Sequence, residues 1–209
     1  MAVVMTYDSL VSDIQLYLER TDTVTVDKIP TFIMLAEQVL ATDIKFLGSL
    51  AVATSTMVLG APVIDKPARW RKTVSMNVTV NGERSPIFLR KYEYLREFWP
   101  NTSETGIPLF YCDYDYTHWL IAPTPAAAYT YEVLYYERVQ PLDSTNQSNW
   151  FTQYAPQALL YGSLLQAMPY LKNDDRIPMW QSQYNAVVQA LQNEDLTRVG
   201  DRQTVVKDS

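Results

Sequence analysis

The sequence predicts an α+β protein: a helical bundle made from N- and C-terminal helix pairs, with an antiparallel β domain inserted between them. Two observations carry this. Apolar residues recur at helical spacing near both ends of the chain and at a spacing of two in its middle. Strands and helices do not alternate along the chain, which argues against a parallel, doubly wound sheet. The expected divisions are 1–48 and 150–197 for the bundle, 49–149 for the β domain and 198–209 for an extended C-terminal tail.

Residues 8–19 read as the first helix. Leu10, Val11, Ile14, Tyr17 and Leu18 share one face, and Asp8 is placed to cap it. A polar link, Arg20 to Thr23, leads to a second helix over 28–44. Its stripe is Ile29, Phe32, Ile33, Ala36, Leu40 and Ile44, with Asp27 as the expected cap and Pro30 in the first turn, where a missing N–H costs little.

The period then changes. Leu50 to Leu59 is rich in β-branched residues and Thr, a strand signal. Val74, Met76, Val78 and Val80 alternate with polar residues and lead into Asn81-Gly82, the pair a type I′ hairpin turn favours. Ser85 to Leu89 is the return strand. Tyr94, Leu95, Phe98 and Trp99 mark one face of a short helix that Pro100 ends. A second hairpin spans Pro108–Tyr114 and Thr117–Ala122, with Asp115 at its turn, and Tyr129–Val139 is a long strand. Beyond a polar loop at 143–149, Leu160, Leu164, Ala167, Met168 and Leu171 stripe a third helix opened by Pro156, and Pro169 should kink or end it. Asn173-Asp174-Asp175 caps a fourth, which carries Ile177, Trp180, Tyr184, Val187, Val188 and Leu191.

Composition narrows the function. Of 209 residues 47% are apolar, enough for a real core, and the formal net charge is −6. Cys112 and His118 are the only residues of their types, so neither a chain-internal disulfide nor a Cys/His zinc site can form, and a reducing cytosol is compatible. Met1 to Met5 lacks a basic region, so no signal peptide is expected. The 19 residues from Phe46 to Ile64 carry no charge, but seven of them are Gly, Ser, Thr or Pro, which favours a buried strand and its loops over a membrane span.

Three patterns bear on chemistry, and three common motifs are absent. Cys112 and His118 flank a tight turn, where an imidazole near a thiol raises its thiolate fraction, although no family signature surrounds them. Asp113 and Asp115 lie two apart, as paired carboxylates for glycan cleavage would, and the 15 Tyr, 5 Trp and 6 Phe would suit sugar stacking. The motifs G-x-G-x-x-G, G-x-x-x-x-G-K-[ST] and G-x-S-x-G do not occur. Residues 61–99 hold eight basic and four acidic groups, and Arg69-Trp70-Arg71-Lys72 interleaves charge with an aromatic as single-strand binders do. Against the chain's pI near 4.8, a basic face that meets an acidic face of another copy is the preferred reading.

One set of motifs carries a resemblance. Pro30-x-Phe32-Ile33-x-x-Ala36-Glu37 precedes Arg69-Trp70-Arg71 and the short helix Tyr92 to Phe98. Gly106-Ile107-Pro108-x-x-Tyr111, Leu120-Ile121-Ala122-Pro123-x-Pro125 and Tyr131-x-Val133-x-Tyr135-Tyr136 follow, and a helix pair around Tyr170–Arg176 and Trp180-x-x-x-Tyr184 closes the series. Over about residues 5–197 the chain resembles the head-to-tail adaptor (connector) proteins of tailed bacteriophages, the group that includes the tail tubular protein A of short-tailed phages.

That resemblance implies a structural virion protein of the neck, assembled in the host cytoplasm, with no catalytic residue, cofactor or metal. It implies a homo-oligomeric ring, a dodecamer, between portal protein and tail nozzle protein, through which genomic DNA passes without specific binding and with no membrane involved. It also implies a C-terminal extension on the portal, here Arg198, Val199, Asp201, Arg202, Val205, Val206 and Lys207. From charge and aromatic content, the contacts between copies or with the nozzle are expected at Arg69, Trp70, Arg71, Lys72, Tyr114 and Asp115. An aromatic-rich glycan-binding or glycan-cleaving module is the alternative.

Overall fold

Capping and apolar spacing start the architecture at the N-terminus. The computed structural model describes residues 4–44, 49–170 and 175–203, the side chains of Tyr170, Asp195 and residues 197–203 excepted. Helix α1, Tyr7–Leu18, is capped by Thr6, whose Oγ1 accepts from the Ser9 amide at 3.2 Å while the Ser9 hydroxyl accepts from the Thr6 amide at 2.9 Å. Thr6, not Asp8, is the cap because it holds the extended backbone that the position requires; Asp8 falls in the first turn, where its charge favours the helix dipole. The expected polar link contains a four-residue helix, α2, Thr23–Val26, capped by Asp22. Asp27 therefore ends α2 and does not cap α3, Ile29–Asp43, whose N-cap position is Lys28.

The chain divides into two compact units, residues 1–48 with 139–209, and residues 49–138. In the first, α1 and α3 share a core with α5 (Trp150–Tyr154), α6 (Pro156–Gln166) and α7 (Ile177–Gln203). Helix α6 packs against α1, α3 and α7, so its buried surface exceeds one stripe. Leu164 and Ala167 are buried as expected, Met168 is exposed, and Ala158, Leu159, Gly162 and Ser163 are buried as well. Leu171 and the expected caps Asn173 and Asp174 lie outside the described residues. A short 3-10 helix, Met168–Tyr170, ends this segment at Pro169.

Residues 139–149, assigned to the β region from sequence, pack with the helices. Leu142 joins their core, and the buried Glu37 accepts from the Leu142 amide at 3.2 Å and from Asn149 Nδ2 at 2.6 Å. Helix α7 also departs from expectation. It continues through Arg198, Val199, Gly200, Asp201 and Arg202 to Gln203, where an extended tail was expected. One Gly costs a helix about 1 kcal/mol, too little to stop a run rich in Gln, Glu and Arg.

The second unit holds strands β1 (Leu50–Thr56), β2 (Val63–Asp65), β3 (Trp70–Val80) and β4 (Glu83–Leu89), then helix α4 (Tyr92–Phe98). Strands β5 (Thr105–Gly106), β6 (Phe110–Asp113), β7 (His118–Ala122), β8 (Thr124–Pro125) and β9 (Thr130–Glu137) follow. Seven form one sheet in the order β1-β9-β3-β4-β6-β7-β2, and β5 pairs with β8. The sheet curls, because one core takes Val78 and Val133 from β3 and β9 and Trp119 and Ile121 from β7. Asn81 and Gly82 have φ of 51° and 84°, the type I′ geometry that the sequence predicts for the β3–β4 turn.

Two details correct the expected antiparallel domain. β4 pairs with β6, and β5 with β8, in parallel. Residues 90–109, which include α4, form a crossover long enough to bring the chain back in the same direction. Val74, expected in the core, is exposed, because register shifts between Trp70 and Lys72 and between Thr73 and Ser75 break the alternation of β3.

Candidate interaction surface

The pairing of β2 with β7 sets Asp65 opposite His118 and carries Lys66 to the tip of the β6–β7 hairpin. There the Lys66 ammonium lies 3.0 Å from Asp113 Oδ1 and 4.0 Å from the centre of the Trp70 ring, and donates to the Asp115 carbonyl at 2.6 Å. Its side chain is only 3% exposed, so the charge is held by a carboxylate, a carbonyl and an aromatic face rather than by water. His118 lies between two acids, with Nδ1 2.8 Å from Asp115 Oδ2 and Nε2 3.3 Å from Asp65 Oδ1. Asp115 Oδ1 also accepts from the Thr117 and His118 amides at 2.7 and 2.8 Å. The His118 contact, then the Thr117 and His118 donors, hold its carboxyl down at about 2.

The six residues expected from sequence to make contacts are divided by this geometry. Trp70 and Asp115 meet through Lys66, and Trp70 stands edge-on to the buried Trp119 at 6.0 Å. Arg69 has φ 59° and is tied to Glu137 at 2.7 Å. Arg71 and Lys72 are exposed at the β3 bulge. The Tyr114 ring lies 6.3 Å from that of Tyr92 on α4. Of the proposed tail contacts, Arg198, Val199, Asp201 and Arg202 are on α7, and Val205, Val206 and Lys207 lie outside the described residues.

Much of the basic excess in residues 61–99 is matched inside this unit. Lys66, Arg69 and Arg84 pair with Asp113, Glu137 and Glu132. Residues 49–138 carry nine Lys and Arg against nine Asp and Glu, a net charge of zero, so the net −6 belongs to the other unit.

Sequence reasoning missed the arginines that rest on rings. Arg96 lies 5.0 Å from the centre of Tyr92, Arg90 5.4 Å from Phe110, and Arg138 5.7 Å from Tyr116. Only the first pair had a local signal, the i, i+4 spacing of Tyr92 and Arg96 on one helix. Arg90 also borders an open cleft of about 510 Å³ with Tyr92, Cys112 and Asp113.

The hairpin separates Cys112 from His118 and fixes the charge of Asp115. Cys112 pairs across the hairpin with Leu120 rather than His118 and is buried with Leu95 and Ala122; burial, then the nearby Asp113, push its thiol up, away from the thiolate. Asp115 is in the loop beyond β6, and its carboxyl is held ionised, opposite to what a general acid requires. Among the described residues, no cluster of three or more His, Cys, Asp and Glu is placed to hold a metal ion, and no helix is long and apolar enough to cross a membrane. Of the charge-free stretch at 46–64, the described residues from Ser49 on provide β1, the loop after it and the first two residues of β2.

The comparison that decides the family spans both units. Residues 5–206 match the SU10 adaptor protein family. The chain belongs to the SU10 adaptor protein family. The match begins just before α1 and runs past the end of α7, so it takes in the tip and the arginine platforms. A search of curated proteins finds no match to the chain. Membership in the SU10 adaptor family fits the phage head-to-tail adaptor that the sequence motifs resemble, a structural protein that meets other head and tail proteins.

Proposed function

We propose that this SU10-family protein is a head-to-tail adaptor. In this reading, copies form a ring, a dodecamer, between the portal protein and the tail nozzle and extend the DNA channel. Both ends of the chain build a helical bundle that bears the β domain. The family match over residues 5–206 carries the proposal. The net charge of −6 supports it, because a wall that lets DNA pass must not collect phosphate-binding Lys and Arg.

The end of α7 and the residues after it, from Arg198 to Lys207, dock on the portal in this proposal. Arg69, Trp70, Arg71, Lys72, Tyr114 and Asp115 meet a neighbouring copy or the nozzle in this proposal. The test is to add the purified full-length chain to adaptor-free heads and image them. A ring at the portal vertex is expected, and its loss on deleting residues 199–209. Heads that take up no ring refute the adaptor role; rings formed equally well by the truncated chain refute portal docking by the C-terminal segment.

A further inference from the structure

Five of the six arginines in the β unit fall into two kinds. Arg69 and Arg84 are bound to carboxylates within the unit. Arg90, Arg96 and Arg138 form no ion pair among the described residues and rest instead on aromatic rings. Those rings are themselves open: Tyr92 is 40% exposed, Tyr94 41% and Tyr116 71%. A guanidinium has five N–H donors. Arg96 gives Nε to the Tyr92 hydroxyl at 2.9 Å, and Arg90 gives one donor to the Leu89 carbonyl at 3.1 Å. Most of each fork therefore stays available to a carboxylate from outside.

The Arg90 and Arg96 platforms meet at one cleft, which Arg90 lines together with Tyr92, the ring beneath Arg96. Arg90 covers Tyr94 and Phe110, and Tyr94 stacks on the exposed Phe98 at 5.8 Å. Exposed Tyr and Arg on an apolar floor are the composition of protein-binding hot spots.

The complementary chemistry is on the other unit. Residues 7–27, which make α1 and α2, carry one base, Arg20, and five acids (Asp8, Asp13, Glu19, Asp22, Asp27), of which Glu19 is paired with Arg176 at 3.4 Å. Among those acids Leu16 is 73% and Val24 68% exposed, two apolar anchors with no cover. Single-stranded nucleic acid also fits aromatic–arginine platforms, but a unit with no net charge on a chain of net −6 does not attract it.

We infer that the Arg90 and Arg96 platforms of one copy dock on the acidic α1–α2 corner of the next copy. The inference rests on the ring proposed above and names its contact. The two surfaces differ, so the contact is head-to-tail, the kind that closes into a ring when the rotation allows.

The test uses full-length chains on adaptor-free heads, with ring occupancy read by imaging as a function of concentration. Arg90→Glu with Arg96→Glu is expected to weaken ring formation about a hundredfold, since like charges brought together at an interface cost several kcal/mol. Asp13→Lys with Asp27→Lys is expected to do the same. Circular dichroism and the unfolding midpoint of both variants should match the parent. An equal mixture of the two should restore rings, because alternating copies then place Glu against Lys at one contact and Arg against Asp at the next. Wild-type rings together with unimpaired rings from the Arg90 and Arg96 variant would overturn this contact and leave the adaptor reading standing. So would two impaired variants that fail to rescue each other. Binding of a single-stranded oligonucleotide by the wild type, lost in the Arg90 and Arg96 variant, would reassign the platforms to nucleic acid. Absence of any wild-type ring would overturn the adaptor reading itself, and this contact with it.

Discussion

Asn149 Nδ2 donates to the buried Oε1 of Glu37 at 2.6 Å, joining α3 to the start of α5 across 112 residues of sequence. Asn149 also caps α5, with its Oδ1 accepting from the Phe151 and Thr152 amides at 3.0 and 3.3 Å. One carboxylate and one amide thus fix where the chain re-enters the helical unit after the β unit.

Glu37→Gln leaves a single oxygen for two donors, the Leu142 amide and Asn149, so one donor is orphaned. A loss of about 1–3 kcal/mol is expected at neutral pH. The pH dependence has a defined sign. Burial, only partly offset by these two hydrogen bonds, raises the Glu37 carboxyl above its ordinary 4.5. The folded state therefore holds this proton more tightly than the unfolded chain, and Glu37's contribution to stability is greatest in acid. It is lost as pH rises from the unfolded value through the folded one. Denaturant unfolding at several pH values checks this, and Glu37→Gln should flatten that part of the profile. An unchanged midpoint and slope would refute it.

Gly162 sets the approach of three helices. A Cβ there would lie 3.2 Å from Tyr184 Cε2 and 3.4 Å from Ala36 Cβ. Gly162→Ala adds a tight contact against about 1 kcal/mol of helix propensity, and the two nearly cancel. Gly162→Val adds bulk with no room, and a loss of about 1–3 kcal/mol is expected. Thermal unfolding should rank the parent and Ala together and Val well below; Val at parental stability would show that the helices separate freely.

Asp115 organises the tip. Its carboxyl lies below its ordinary 3.8, so the order it gives is present above that pH and fades as pH falls toward about 2. Asp115→Ala removes the acceptor for the Thr117 and His118 amides, and their hydrogen exchange should accelerate. Asp115→Asn keeps an oxygen and should fall between. Equal exchange in all three proteins would mean that the turn holds its shape without this side chain.

Cys112 should behave as a core residue. With its thiol pushed up by burial, a maleimide is expected to label it only as the β unit opens, so labelling should track unfolding. Labelling of the native protein as fast as that of a free thiol would contradict the packing against Leu95 and Leu120.

Much of the fold was legible because its signals are local. The buried Leu10, Ile14 and Leu18 of α1, the stripe of α3 and the Asn81-Gly82 turn are set by neighbours within a few residues, although Tyr17, expected on the α1 stripe, is exposed. What was hidden depends on distant partners. Helix α6 buries Ala158, Gly162 and Ser163, which a search for large apolar residues passes over, because helices close in on several of its sides. The burial of the Lys66 head follows from β2 meeting β7, a pairing that no window around residue 66 contains. At the interaction surface, Trp70 and Asp115 were marked by composition, but the partners of each charge were not. Arg69 finds Glu137 sixty-eight residues away, a partner that no local window contains.

The helical unit is built from both ends of the chain, 1–48 and 139–209, with ninety residues of the β unit between them. During synthesis α1 and α3 leave the ribosome long before α6 exists. At about 5–20 residues per second, the wait is on the order of ten seconds. Over that interval the apolar faces of Leu10, Ile14, Ile33 and Leu40 lack the α6 surface that later buries them, while the whole β unit emerges as one contiguous piece. Biosynthesis thus favours the β unit maturing first and the helices closing last, around a core whose two segments are separated by the whole β unit.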